Sequence, residues 1–152
     1  MAREVVLDAN VIVALLDAAD ALAGQAKSLG EQLRTEGAEL VLLDVVVSEA
    51  VSVLCRRARE RRKDPPELQV ALATVRRWAE EGSIRWVAAE AERLVGAILD
   101  VVEGTAGRLN FNDALLVVLQ REGVIGDVAS FDGGFDTVPD CRRVASSPIP
   151  SP

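Results

Sequence analysis

The sequence predicts an α/β fold: three layers, with a central parallel sheet of four to five strands and helices on both faces. Three observations predict it. Short, continuous apolar runs such as Val5-Val6-Leu7 and Leu40-Val41-Leu42-Leu43 suit strands covered on both sides. These runs alternate with longer stretches whose apolar residues recur at helical spacing. The chain has 152 residues and is 49% apolar, enough for one domain with a real core.

The first strand is Glu4-Val5-Val6-Leu7, and Asp8 ends it. A helix follows over residues 10–17, and a second over 20–36, with Leu22, Ala26, Leu29 and Leu33 on one face and Gly37 as its stop. Leu40-Val41-Leu42-Leu43 is the second strand. Asp44 is placed to cap a long helix that reaches about residue 62. Pro65-Pro66 closes that helix and opens the next, over 67–81, which Gly82 ends. Ile84-Arg85-Trp86-Val87 is the third strand, and one helix over 89–102 follows it. A polar loop leads to a helix over 112–122, ended by Gly123. Asp127-Val128-Ala129-Ser130-Phe131 is the fourth strand and Arg142-Arg143-Val144-Ala145 a short fifth. Residues 1–145 are expected to form the domain. Residues 146–152, with three prolines and three serines, are expected to be a flexible tail.

Composition removes several classes of chemistry. The chain has no histidine, which excludes His-based triads, His general bases and imidazole metal sites. Cys55 and Cys141 form neither a metal-ligand spacing nor a disulfide framework. No leader peptide is visible and no uncharged apolar run reaches the length of a membrane span, so a soluble, cytoplasmic protein is expected. Seventeen basic against 24 acidic residues give a net charge of −7. A nucleic-acid partner would therefore need a local basic patch or bound cations.

Four acidic residues share one setting. Asp8 ends the first strand. Glu49 interrupts the apolar face of the helix after the second, in Val45-Val46-Val47-Ser48-Glu49-Ala50-Val51. Asp113 opens the very apolar helix Ala114-Leu115-Leu116-Val117-Val118-Leu119, and Asp132 follows the fourth strand. In a parallel sheet, strand ends and the following helix starts meet at one edge, where ligands collect. Each acid also has a plain structural explanation. Asp8 can cap the next helix. Asp113 can be a first-turn acid, with Asn110 or Asn112 as the cap. Asp132 precedes Gly133-Gly134 and can belong to a turn. Glu49 is the hardest to explain away, because a glutamate among valines and alanines is costly to bury alone. Together the four would repel one another unless a cation neutralised them or some were protonated. An all-oxygen set favours Mg2+ or Mn2+ over zinc.

The segments Val6-Leu7-Asp8-Ala9-Asn10-Val11-Ile12, Ser48-Glu49-Ala50-Val51-Ser52-Val53-Leu54, Asn112-Asp113-Ala114-Leu115-Leu116 and Ala129-Ser130-Phe131-Asp132-Gly133-Gly134-Phe135 resemble the PIN-domain ribonuclease family, including its VapC-type toxins. The resemblance spans about residues 3–145, with the four segments in family order. It implies Mg2+- or Mn2+-dependent hydrolysis of RNA, leaving 5′-phosphate and 3′-hydroxyl ends. It also implies a homodimer and, for a toxin, a cognate antitoxin protein. Asp8, Glu49, Asp113 and Asp132 fall on the family's acidic metal-site positions. Asn10 and Ser130 fall on its small polar supporting positions, although Ser or Thr is commoner than Asn at the first. The sequence departs from the usual toxin in having only two lysines, Lys27 and Lys63.

The one dense basic run is Arg56, Arg57, Arg59, Arg61, Arg62 and Lys63. Arg56 lies seven residues after Glu49, on the same helix face, and is the expected substrate-binding cation. A solvated helix end explains most of the run equally well. Trp78 and Trp86 suit either base stacking or the core, and a strand position makes Trp86 the stronger core candidate. A receiver or haloacid-dehalogenase fold also places Asp after a first strand. The first wants an adjacent acidic pair and the second wants Asp where Asn10 stands, so neither fits. A catalytically idle PIN-like module that binds protein or RNA remains the alternative to an enzyme.

Overall fold

The computed structural model describes residues 2–61 and 66–145. The expected tail, and Arg62 and Lys63 of the basic run, lie outside the described residues. Five strands form one all-parallel sheet: β1 (Glu4–Leu7), β2 (Glu39–Leu43), β3 (Ile84–Arg85), β4 (Asp127–Ala129) and β5 (Arg143–Val144), in the order β3-β2-β1-β4-β5. The register aligns Val6 of β1 with Val41 of β2 and with Val128 of β4. Val5, Val6 and Val128 are fully buried, as the centre of a sheet covered on both faces requires.

Seven helices are described: α1 (Ala9–Leu16), α2 (Ala23–Thr35), α3 (Asp44–Glu60), α4 (Pro66–Glu80), α5 (Ala88–Arg93), α6 (Val95–Gly104) and α7 (Phe111–Arg121). Their distribution follows from the strand order. Going from β1 to β2 to β3, the chain moves steadily outward, and right-handed crossovers put α1 to α4 on one face. The step from β3 to β4 reverses direction and puts α5 to α7 on the other. The packing agrees: α1 meets α2 and α3, α3 meets α4, and α6 meets α5 and α7. The reversal leaves a crevice between β1 and β4 at the strands' carboxyl edge, where such sheets bind ligands.

Local chemistry sets the joints. Gly37 follows Glu36, the C-cap of α2, at φ 76°, and Gly123 follows Glu122, the C-cap of α7, at φ 71°, the left-handed conformation that turns a helix end back towards the next strand. Gln120 of α7 is buried and spends its whole side-chain amide on the sheet. It donates to the carbonyls of Gly126 and Arg142 and accepts from the Arg142 N–H, which pins β4 and β5 under the helix.

Three expectations change. The single helix over 89–102 is two, because Leu94 leaves helical geometry at φ −103°, ψ 8° and drops into the core. Asp44 does not cap α3. Its carboxylate accepts from the Val87 N–H at 3.0 Å and ties the exit of β3 to the exit of β2. That bond takes the chain out of the strand after Arg85, so Trp86 is not in the core but 73% exposed. Trp78 is half-buried against the core. No helix among the described residues is long and apolar enough to cross a membrane.

Candidate active site

Four elements deliver the four acids to one place. Asp8 leaves β1 as the N-cap of α1, Glu49 stands on α3, Asp113 in the first turn of α7, and Asp132 just after β4. All four line a single cavity of about 530 Å3, which also reaches Asn10, Asn110, Arg57 and Arg61.

Each acid spends oxygen on local structure. Asp8 Oδ1 accepts from the Ala9 N–H at 2.8 Å. Asp113 and Asn110 form a reciprocal cap: Asn110 Oδ1 accepts from Asp113 N–H at 2.9 Å, and Asp113 Oδ2 accepts from Asn110 N–H at 3.2 Å. Asp132 Oδ1 accepts from the Gly134 N–H at 2.8 Å. Glu49 Oε2 accepts from Asn112 Nδ2 at 3.0 Å. The capping reading and the shared-cavity reading are thus both true of the same side chains. Asp113 Oδ1, Asp132 Oδ2 and Glu49 Oε1 take no hydrogen bond from a described residue. No buried side-chain oxygen or nitrogen among the described residues lacks a partner, so the remaining oxygens of Asp113 and Glu49 open to the cavity.

A small network aims Asp8. Ser130, fully buried, donates to Asp8 Oδ2 at 2.7 Å. The same hydroxyl oxygen accepts from Asn10 Nδ2 at 3.0 Å and from the Asp132 N–H at 3.0 Å. Asn10 also reaches Asp8 Oδ2 at 3.4 Å and accepts from the Phe131 N–H at 3.1 Å. Asn10 and Ser130 therefore lock the ends of β1 and β4 together around one carboxylate.

The acids feel one another. Burial, then the charge of Asp8, pushes the Asp113 carboxyl up to about 6, against the hydrogen bond from Asn110. Burial also raises Asp8, opposed by its bonds from Ser130 and Ala9. The charges of Glu49 and Asp132 act on both, so the four share one field. The donor chemistry fits a hard divalent cation, being oxygen-only, anionic and under mutual repulsion that such a cation relieves. Among the described residues no group of three or more such side chains is placed to hold one ion.

The cationic side of the cavity differs from the sequence expectation. Arg56 is not in the lining. It is 61% exposed and pairs with Glu60 at 3.9 Å. Arg57 and Arg61, one turn apart on α3, stand in the wall instead. Arg57 Nη1 bonds Asp17 at 2.9 Å and Asp20 at 2.6 Å, and Arg61 grips Asp17 through both terminal nitrogens at 3.1 and 2.9 Å. Sequence reasoning also missed Asn112, which holds Glu49. The i,i+4 spacing of Arg57 and Arg61 opposite the i,i+3 spacing of Asp17 and Asp20 was the available signal for the ionic pair of pairs.

Comparison with known proteins adds the family. A PIN-domain family model matches residues 5–140. VapC20 of Mycobacterium tuberculosis, described as a sarcin–ricin-loop-cleaving toxin, superposes with a TM-score of 0.63 at 22% identity, covering 89% of this chain and 95% of that one. VapBC2 of Rickettsia felis, solved with a DNA fragment from its promoter, superposes at 0.60 with 11% identity, covering 93% and 97%. PAE2754 of Pyrobaculum aerophilum superposes at 0.54 with 19% identity, covering 94% and 85%. No curated protein sequence matches the chain. At these identities the superpositions speak for the fold.

Proposed function

Because this chain belongs to the PIN-domain family, we propose that it is a Mg2+- or Mn2+-dependent endoribonuclease, the toxin of a toxin–antitoxin pair. The observation that carries the reading is the convergence of Asp8, Glu49, Asp113 and Asp132 from four separate elements on one cavity. Nothing in the packing of an α/β core calls for four carboxylates there, and their repulsion is a cost that a bound cation offsets.

In this reading Asp8 and Asp113 hold the ion directly, and Asp132 holds it directly or through water. Glu49 binds the ion or orients the attacking water. Its Oε2 is fixed by Asn112, which leaves Oε1 aimed at the cavity. Ser130 and Asn10 keep Asp8 in one rotamer by occupying Oδ2. The ion, when bound, supplies charge neutralisation of the phosphate and a more acidic water. A protein base of neutral pKa is then unnecessary, which suits a chain without histidine. The 5′-phosphate and 3′-hydroxyl products follow if water attacks phosphorus and the 3′ oxygen leaves. VapC20 and VapBC2 support the toxin assignment by their shared fold, and a cognate antitoxin and a homodimer belong to the same proposal.

The test is RNA incubated with Mg2+ or Mn2+ and the purified protein, beside an Asp8→Asn variant. Cleavage that needs the metal and disappears in the variant is the expected result. Equal cleavage by both proteins places the activity elsewhere. No cleavage by either, with a partner protein co-purifying, turns the reading to a catalytically idle interaction module. Sedimentation of the same sample checks the dimer.

A further inference from the structure

The cavity has two chemically distinct ends. Asp8, Glu49, Asp113 and Asp132 make up one, and Arg61 and Arg57 with its partner Asp20 the other; Val13, Leu22 and Val53 also line the cavity. Glu49 and Arg57 lie eight residues apart on α3, about 12 Å along its axis. Arg57 lines the same cavity as the carboxylates, with its Nη1 turned to Asp17 and Asp20. A single strand whose reacting phosphate lies at the acids would carry a neighbouring phosphate towards Arg57.

Arg57 is prepared for such a contact. Asp17 and Asp20 both bind Nη1, which fixes the guanidinium plane. Nη2 and Nε make no hydrogen bond to a described residue. The side chain is 32% exposed, so those nitrogens have a route to solvent. Arg61, by contrast, commits both terminal nitrogens to Asp17. A guanidinium held by one nitrogen with its other edge unspent suits a phosphate, which accepts two parallel N–H bonds. The need is also plain: the protein carries a net charge of −7, and its cavity is lined by five carboxylates, Asp20 among them, that repel RNA.

Resting on the ribonuclease reading, we propose that Arg57 binds an RNA phosphate flanking the cleaved one, and that Asp17 positions its guanidinium for this. Arg57 thereby takes the place that the sequence suggested for Arg56. The rival account makes the cluster only a clamp between the α1–α2 turn and α3. The two differ on Asp20→Asn. That change keeps an oxygen for the Leu22 N–H, which Asp20 Oδ1 caps at 2.7 Å, while it removes a negative charge beside Arg57. A clamp is weakened by it; a phosphate site is not.

The experiment titrates a fluorescent single-stranded oligoribonucleotide into an Asp113→Asn parent, which holds off cleavage without touching Arg57. Arg57→Ala, Arg57→Lys and Asp20→Asn are made in that parent, and the melting of each is followed. Arg57→Ala is expected to bind about tenfold more weakly. Its slope of log affinity against log salt is expected to fall by about 0.7, one phosphate contact on a single strand. Arg57→Lys should recover part of the affinity, and Asp20→Asn should bind as tightly as the parent or more so. Should Arg57→Ala unfold, the lysine and Asp20 variants decide. The proposal is overturned if the parent does not bind RNA, if affinity and slope ignore Arg57, or if Asp20→Asn loses as much as Arg57→Ala. Cleavage by the unmutated protein with Mg2+ reports separately on the nuclease, so the two readings can fail independently.

Discussion

The Ser130 hydroxyl donates to Asp8 Oδ2 over 2.7 Å, and this bond joins the end of β4 to the end of β1 at the crevice between them. The two residues are 122 positions apart in sequence. A buried hydroxyl that also accepts from Asn10 and from the Asp132 N–H fixes one candidate metal ligand and the backbone of another. Ser130→Ala deletes all three bonds at once. It should lower stability by about 1–3 kcal/mol, since the Asp132 N–H and the Asn10 amide lose their acceptor. It should also weaken Mn2+ binding by about tenfold or more, as loss of a supporting bond to a ligand does. Urea unfolding and calorimetric Mn2+ titration measure the two effects. A variant that unfolds earlier yet binds Mn2+ normally would show that Ser130 serves the fold alone.

How much of this was legible in the sequence varies with the range of the interaction. The strands, most helices and the parallel order follow from apolar runs and their alternation, because local pattern carries them. The break at Leu94 was not legible: no Pro or Gly occupies the position, and a leucine dipping into the core leaves helical periodicity almost intact. Trp86 misled, because the bond between Asp44 and the Val87 N–H that lifts it out of β3 is a contact between residues 43 positions apart. The four acids were visible as a set, but their individual roles looked undecidable between caps and site. Asp113 and Asp132 show the reason, since one oxygen of each serves a cap while both residues line the cavity. That Arg57 rather than Arg56 lines the cavity required knowing which side of α3 meets α1, a tertiary fact that heptad counting from Glu49 could not supply.

Asp113→Asn tests whether the acids repel one another in the metal-free protein. Burial and the Asp8 charge both disfavour ionised Asp113, whose carboxyl is held up at about 6. Asparagine keeps an oxygen to accept from the Asn110 N–H but carries no charge. In chelator at neutral pH the variant should therefore be more stable than the wild type, by about 1–2 kcal/mol. Adding Mn2+ should raise the wild-type melting temperature and leave that of the variant nearly unchanged. Thermal melting with and without the ion gives both readings. A variant less stable than the wild type in chelator would mean that the reciprocal cap outweighs the repulsion.

Asp17 predicts an acid-side loss of stability that does not involve the four acids of the candidate metal site. Hydrogen bonds from Arg61, then from Arg57, hold its carboxyl below the ordinary aspartate value, although burial works the other way. The folded state therefore binds the proton less readily than the unfolded chain. Its stabilisation is complete above the ordinary value of about 3.9 and is lost as pH falls through the lower folded value. Asp17→Asn should cost about 1–3 kcal/mol at neutral pH. The gap between variant and wild type should then shrink as pH drops below about 4. Urea midpoints across that range check it, and a gap that stays constant with pH would remove the ion pair as its cause.

Gln120 offers a test of the fold that leaves the site untouched. Its side chain is 5% exposed, among Leu116, Val117 and Leu119 in the buried run of α7, where leucine would match its size. Its amide makes three bonds to the backbone: Nε2 to the Gly126 carbonyl at 3.0 Å and the Arg142 carbonyl at 3.1 Å, and Oε1 from the Arg142 N–H at 2.8 Å. The Arg142 carbonyl also accepts from the Val128 N–H, so the glutamine completes the start of the β4–β5 ladder. Gln120→Leu would add apolar area but strand the Arg142 N–H and the Gly126 carbonyl. Leaving such groups unpaired costs about 1–3 kcal/mol each, whereas the gain from a leucine is of the same order, so the net should be a loss of about 2 kcal/mol. Gln120→Glu should be worse, because a carboxylate would face two carbonyls where the amide donated. Urea unfolding ranks the three proteins. Hydrogen exchange at Arg142 and Val128 should quicken first, and a Gln120→Leu protein as stable as the wild type would show that β5 is held by other contacts.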